Sequence, residues 1–269
     1  MYRKFHAVRT FLCLLLTFVF VTVFSTQPLL AASDQKTSVA WPEAPLTNSG
    51  AACLMDADTG AILFDANMDE QRYPASITKV MTALLVAENR QPTDTVTFGE
   101  QAVSESIPGN ARIDVQLGET ITVEDALHAV LLASANEVCT QLAIDIAGSV
   151  EAFADMMNER AAALGCTNTH FTNPNGLPDP NHYTTAHDMA LIMQEAIKNE
   201  TFLRVESDLS YTIQPTNMTA SPRQLQNHHV MLFQDDPTYG YQGAFAGKTG
   251  YTDEAHNTLV TAAKRNNVT

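Results

Sequence analysis

Ser76 and Lys79 stand three residues apart in Ser76-Ile77-Thr78-Lys79, a spacing that sets a hydroxyl one helical turn from an amine. A serine hydroxyl is a poor nucleophile until an adjacent base takes its proton. Lysine is that base only when neutral, which requires its pKa to fall by roughly three units from ~10.4, through burial and a nearby second cation. Lys248, in Lys248-Thr249-Gly250, is the candidate second cation. Ser134-Ala135-Asn136 lies between the two in the chain and offers a hydroxyl to relay a proton and an amide to hold both Lys79 and a substrate amide. The tetrahedral intermediate of such a reaction needs two donors for its oxyanion, and the backbone N–H groups of Ser76 and Tyr251 are the candidates. Thr249 and Lys248 are suited to a terminal carboxylate, and Gly250 to the close approach of a substrate backbone. Each motif alone is weak: Ser33-Asp34-Gln35-Lys36 repeats the first by chance in a polar segment. Order, spacing and setting together make the case for a self-acylating serine enzyme.

The elements that must position these residues are legible nearby. Pro74 opens a segment in which Ile77, Val80, Met81, Leu84 and Leu85 recur at helical spacing, so Ser76 falls in a helix's first turn. Val123 to Leu132 is a second helix, with Glu124 and Asp125 in the first turn where the dipole favours acids, and Ser134 and Asn136 follow its end. Ser149 to Leu164 and Thr185 to Lys198 read as two more helices, with the loop Asn173-Pro174-Asn175-Gly176-Leu177-Pro178 between them. Lys248-Thr249-Gly250 reads as strand, Thr252-Asp253-Glu254 as turn, and Thr258 to Ala263 as an antiparallel neighbour. Ala51 to Met55 and Ala61 to Phe64 form a hairpin around Asp56-Ala57-Asp58-Thr59-Gly60. Asp58-Thr59-Gly60-Ala61 also spells the aspartic-protease tetrad. A second copy is absent, and the apolar residues that a retroviral version needs before the aspartate are replaced by Asp56-Ala57, so that reading is set aside.

Arg3, Lys4 and Arg9, an apolar run from Phe11 to Phe24, and the small residues Ala31 and Ala32 read as a secretory signal over residues 1–32. Its removal takes away three basic groups and moves the formal charge from −15 to −18. An acidic exported chain without clustered Lys and Arg is no nucleic-acid binder. Cys13 leaves with the signal; Cys53, Cys139 and Cys166 are odd in number, scattered and set among apolar neighbours, as buried thiols are. Residues 33–48 are polar and Pro-containing and read as a loosely held lead-in, with one catalytic domain over 49–269.

With these residues in view, the chain resembles the D-alanyl-D-alanine carboxypeptidases, the low-molecular-mass penicillin-binding proteins of serine type. The likeness extends past the three motifs to Met55-Asp56 with Thr59-Gly60, Pro74 to Thr82, Met157-Asn158, Leu164-Gly165 and Asn168-Thr169-His170-Phe171. It continues through Gly176-Leu177, His182-Tyr183 and Thr185 to Ala190. The resemblance implies an α/β (α+β) catalytic domain, an antiparallel sheet flanked by helices with a helical lobe. It implies removal of the terminal D-alanine from peptidoglycan pentapeptide stems on the outer side of the bacterial cytoplasmic membrane, acylation by β-lactams, and no metal or cofactor. In that frame Ser76 is the acyl-enzyme nucleophile, Lys79 its general base, Ser134 and Asn136 flank the cleft, and Lys248 with Thr249 takes the carboxylate. His170, His182 and His187 are structural in the family rather than parts of a Ser-His pair. His256 stands where the family more often has glycine.

The family also continues with another core strand, a carboxylate-binding arginine, often a β-rich stalk and an amphipathic membrane-binding helix. None of these is in this chain, so a truncated catalytic domain is expected, with membrane contact only through a C-terminal anchor outside it. Nothing in the sequence argues for a homo-oligomer. A class A β-lactamase needs a glutamate to activate the deacylating water, and Phe171 to Leu177 has none, so slow deacylation and a penicillin target are expected. A peptidoglycan endopeptidase shares the motifs and differs by cutting cross-linked muropeptides. A non-catalytic wall-binding module predicts peptide binding without an adduct on Ser76.

Overall fold

The structure is a computed structural model, and it describes residues 43–269. The expected signal sequence, Cys13, the Ser33 to Lys36 repeat and most of the lead-in lie outside the described residues. The account below concerns the unit Leu46–Thr269.

Strands β1 (Ala52–Met55) and β2 (Ile62–Ala66) pair antiparallel, with Leu54 opposite Phe64. Asp56 closes their turn by accepting from the backbone N–H groups of Asp58 and Thr59. Asp58 therefore sits on an exposed surface turn, far in character from a buried catalytic dyad. After Pro74 comes a 3-10 turn, Ala75–Thr78, and only then helix α1, Lys79–Asn89. An unbroken helix from Pro74 was expected. The turn is tighter because its backbone is held from outside: the Pro74 carbonyl accepts from Thr258 Oγ1 at 2.7 Å, and Ala75 is pressed into a left-handed conformation at φ 51°. Such a conformation costs a non-glycine residue ~1–3 kcal/mol and persists only where neighbours enforce it.

Strand β3 (Thr95–Thr97) pairs with β4 (Thr120–Thr122), and helix α2 (Glu100–Ser104) lies between them in sequence. Helix α3 (Val123–Leu131) starts on a capping box in which Thr122 and Asp125 bind each other's backbone N–H. Helix α4 (Asn136–Ala147) was not foreseen. Its apolar stripe, Val138, Cys139, Leu142, Ala143 and Ile146, packs in the core, and the polar Glu137, Thr140 and Gln141 are buried as well, with Asp145 exposed. Helices α5 (Val150–Ala163), α6 (Ala186–Ala196) and α7 (Glu200–Glu206) are capped by Ser149, Thr185 and Asn199.

Strands β5 (Ser210–Ile213) and β6 (Arg223–Gln226) form a third ladder. Strands β7 (Ala244–Thr252) and β8 (His256–Ala263) form the longest, with Lys248 opposite Val260 and Thr252 opposite His256. The four ladders are separate two-stranded antiparallel sheets among the described residues. Helix α1 runs through the core, and Val80, Met81, Leu84, Leu127, Leu131, Leu142, Phe153 and Phe202 are fully buried in it. Burying each such side chain stabilises the fold by about 1.5–3 kcal/mol before entropy is counted. Cys139 and Cys166 are buried free thiols and Cys53 is a partly buried one. No helix among the described residues is long and apolar enough to cross a membrane.

Candidate active site

The junction of the 3-10 turn and α1 puts Ser76 and Lys79 on one face. Lys79 is completely buried, and its Nζ donates to Ser76 Oγ at 2.9 Å, to Asn136 Oδ1 at 2.7 Å and to the Asn175 carbonyl at 2.6 Å. Asn136 Oδ1 and the Asn175 carbonyl can only accept. A neutral amine keeps two N–H groups for them and turns its lone pair to the Ser76 hydroxyl. Burial, joined by the Lys248 cation and opposed by Glu137 and Glu105, lowers the Lys79 pKa to about 8. At that value an appreciable fraction is the free base near neutral pH.

Asn136 reaches Lys79, with Ser134 two residues before it, where the chain breaks sharply between α3 and α4. Ser134 takes a left-handed backbone at φ 60°, and Asn136 then starts α4 with its N–H donated to the Ala111 carbonyl. Ser134 Oγ is buried and has no hydrogen-bond partner among the described residues. An unpaired buried hydroxyl costs ~1–3 kcal/mol, a cost expected where a reacting group will complete the site.

Strand β7 supplies the opposite wall. At Gly250 it runs so close to Ser76 that a β-carbon there would lie 2.8 Å from Ser76 N and collide with Thr258 Oγ1. Only glycine fits. Lys248 is 2 % exposed and its Nζ donates to the Thr249 carbonyl at 3.0 Å. Burial lowers its pKa, and Glu206 opposes. Thr249, next to Lys248, is partly buried. The Tyr251 side chain is exposed and its hydroxyl donates to Asp253, so only its backbone remains near the turn that carries Ser76.

The loop at 173–177, read from sequence only as a connection, turns out to be a wall of the site. Gly176, at φ 86°, has no room for a β-carbon, which would fall 1.9 Å from the Ala75 carbonyl oxygen. Thr82 Oγ1 donates to the Pro174 carbonyl at 2.6 Å. Asn175 Nδ2 donates to Glu105 Oε2 at 3.3 Å, so a carboxylate from the α2 end does abut this loop although the loop itself has none. The Gly after Asn175 was the only sequence signal; a backbone carbonyl that accepts from lysine leaves no mark in residue type. Among the histidines, His182 Nδ1 accepts from the Thr172 N–H at 3.0 Å, so its Nε2 carries the proton and donates to Thr78 Oγ1 at 2.9 Å. Burial lowers its pKa to about 4. It is a neutral brace for the residue before Lys79.

Ser76, the buried Lys79 and the buried Lys248 on a glycine-bearing strand now have a defined geometry, and the chain as a whole has known relatives. The family model described as D-alanyl-D-alanine carboxypeptidase matches residues 38–269. The chain belongs to the D-alanyl-D-alanine carboxypeptidase family. It is 34% identical over 232 residues to the D-alanyl-D-alanine carboxypeptidase DacF of Bacillus subtilis, covering 81% of this chain and 54% of that protein. It is 32% identical over 265 residues to DacA of Haemophilus influenzae, covering 96% and 62%. The chain thus spans between about half and two thirds of the length of these curated relatives. Its fold matches penicillin binding protein 5 from Haemophilus influenzae with a TM-score of 0.74 at 32% identity, over 83% of this chain and 63% of that one. The fold is therefore the penicillin-binding-protein fold, of mixed helices and antiparallel strands, as the sequence resemblance implied.

Proposed function

We propose that this protein is a serine-type D-alanyl-D-alanine carboxypeptidase that removes the terminal D-alanine of peptidoglycan pentapeptide stems through an acyl-enzyme on Ser76, and that β-lactams acylate the same oxygen. The observation that carries this reading is the shell of Lys79: full burial, two obligate acceptors and Ser76 Oγ at 2.9 Å.

In the first half-reaction Ser76 Oγ attacks the carbonyl of the penultimate D-alanine and its proton passes to Lys79 Nζ. The oxyanion forms against the N–H groups of Ser76 and Tyr251, each such donor contributing ~2.7–4 kcal/mol. Collapse breaks the peptide bond, and the leaving amine takes the proton from Lys79 through Ser134. Asn136 holds Lys79 and the substrate amide. Lys248 with the Thr249 hydroxyl receives the terminal carboxylate, and Gly250 admits the substrate backbone. Water then attacks the ester, its proton going to Lys79, and as the bond to Ser76 Oγ breaks Lys79 returns that proton to the Ser76 oxygen, so the shortened peptide leaves and the site is restored. General-base assistance of this kind supplies about 10²–10⁴ in rate. The same reading takes residues 1–32 as an export signal, 33–48 as a lead-in and 49–269 as the catalytic domain, acting on the wall side of the cytoplasmic membrane.

Intact-mass spectrometry after incubation with penicillin tests it. A stoichiometric adduct that disappears in Ser76→Ala, with release of D-alanine from a pentapeptide, is expected. A folded protein that neither labels nor turns over penicillin sinks it, and rapid turnover without an accumulating adduct makes the protein a β-lactamase instead.

A further inference from the structure

Behind the third motif lies a carboxylate that the chemistry above does not use. Glu206, the last residue of α7, is fully buried. Its Oε1 accepts from the N–H of Gly247 at 3.2 Å, and its Oε2 has no hydrogen-bond partner among the described residues. Gly247 directly precedes Lys248, which is buried as well and donates only to one backbone carbonyl. Two ionisable groups of opposite sign therefore flank one peptide unit of β7 in the interior. Burying an ammonium without a counter-charge costs several kcal/mol, and such a lysine gives up its proton instead. A neutral lysine attracts no carboxylate.

The other titratable groups facing this pair do not take over the task. His228 and His229 come from the segment before β7; the His229 ring packs on Gly247, with Nε2 hydrogen-bonded to Thr261 Oγ1 at 2.8 Å. Burial lowers the pKa of both histidines, that of His229 to about 4, and both are neutral well above that range. Cys139 faces from α4, its thiol pushed up to about 12 by burial, and Lys79 faces from α1 as a further cation. Glu206 remains the one carboxylate among the described residues whose charge bears on Lys248, through space and without an ion pair between them; burial raises its own pKa, and Lys248 and the Gly247 N–H offset that only in part.

We propose that Glu206 is a positioning residue that holds Lys248 as an ammonium, and so sets the upper pH limit at which the site accepts substrates with a free terminal carboxylate. The assignment rests on the reading above that Lys248 receives that carboxylate. Glu206→Gln keeps the shape and an oxygen for the Gly247 N–H but removes the charge, so Lys248 deprotonates at lower pH. Paired D-alanyl-D-alanine peptides, one a free acid and one a methyl ester, separate this from a structural role.

The full chain and Glu206→Gln are assayed from pH 6 to 10. The variant's alkaline limb of kcat/KM for the free acid is expected to move down by about one pH unit, a roughly tenfold loss at a fixed pH beyond the limb, carried by KM. The ester profile stays where it was. An unmoved limb in a folded variant overturns the proposal, and so does an equal shift for the ester. Should the Gln variant not fold, Glu206→Asp, which draws the charge back by one methylene, must move the limb in the same direction by less; no movement overturns the proposal. A wild-type protein that takes no penicillin and releases no D-alanine overturns the proposed function and this assignment together, whereas an active wild type with an unmoved variant limb overturns this assignment alone.

Discussion

Lys79 and Lys248 are both buried and near enough that the charge of one lowers the pKa of the other, yet their surroundings differ in kind. Lys79 has a closed shell of three oxygens from three separate segments, the 3-10 turn, α4 and the loop at 175. Lys248 has a single backbone carbonyl, with a buried carboxylate behind it. A closed shell fixes the amine and restricts it to exchanging a proton with the one neighbour that can give one. An open shell leaves two donors for an incoming anion. Burial alone does not assign a lysine its task; the number and kind of its acceptors do.

Removing the closed shell's centre gives the largest expected effect. Lys79→Ala is expected to slow acylation of Ser76 by penicillin about 10³-fold or more, within or beyond the usual range for a general base. The variant should still fold, because a buried charge leaves together with its partners' donor, a loss of only about 1–3 kcal/mol. Time-resolved intact-mass measurement reads the rate. A loss below tenfold in a folded variant would remove Lys79 from the role of base and leave the two lysines undistinguished.

The open shell predicts a substrate-dependent effect of smaller size. Lys248→Ala is expected to cost a free-acid D-alanyl-D-alanine peptide about 100-fold in kcat/KM, from the 2–5 kcal/mol range for losing a buried charge partner, and its methyl ester much less. It also strands Glu206 without its counter-charge, so the variant should melt earlier, and adding Glu206→Gln should recover most of that loss. Equal losses on acid and ester would make Lys248 a structural or proton-relay group like its neighbour.

Much of the closed shell was readable beforehand and much of the open one was not, for physical reasons. Ser76, Lys79, Ser134 and Asn136 are side chains in contiguous motifs, and the stripe from Ile77 to Leu85 fixes the helix that carries Lys79. The Asn175 carbonyl and the Glu105 and Glu206 carboxylates were missed. A backbone acceptor has no residue signature, and an acid at a helix end reads as solvated surface until the fold buries it. Helix α4 carries an apolar stripe from Val138 to Ile146 but starts directly after Ala135 with no side-chain cap, so no start signal separates it from the motif before it. The 3-10 turn at Ser76 is set by contacts from Gly176 and Thr258, both far away in the chain, and no local propensity encodes it.

His182 tests how far the closed side depends on neutral neighbours. Its folded pKa of about 4 lies below the ordinary 6.5, because burial disfavours the charged ring. Between those values the unfolded chain binds a proton that the folded chain does not. The histidine's contribution to stability is therefore complete above pH ~6.5 and is lost as pH falls toward ~4, by up to roughly 3 kcal/mol. Urea unfolding at pH 7 and pH 4.5 should show this drop, and His182→Gln should flatten it while lowering stability at pH 7. Identical pH slopes for the two proteins would mean that His182 is accessible to protons in the folded state and braces nothing.

The smallest expected effect concerns the hairpin that carries Lys248. The chain turns through Asp253, Glu254 and Ala255 and re-enters β8 at His256, which stands at φ 56° opposite Thr252. That left-handed conformation strains a side-chain-bearing residue by ~1–2 kcal/mol. A glycine would take this angle without strain. The His256 side chain is exposed and makes no hydrogen bond among the described residues, so its removal forfeits little. Glycine's greater freedom in the unfolded chain offsets part of the relief, by about 0.4–1 kcal/mol. His256→Gly is therefore expected to stabilise the protein by about 0.5–1 kcal/mol, seen as a small rise in Tm, with the acylation rate of Ser76 unchanged. A fall in Tm would show that the ring supports the hairpin through a contact other than a hydrogen bond. A change in acylation without a change in Tm would show that this turn, nine positions along the chain from Gly247, feeds back on the setting of Lys248, and the open side of the cleft would then be less independent of its hairpin than the comparison of the two lysines holds.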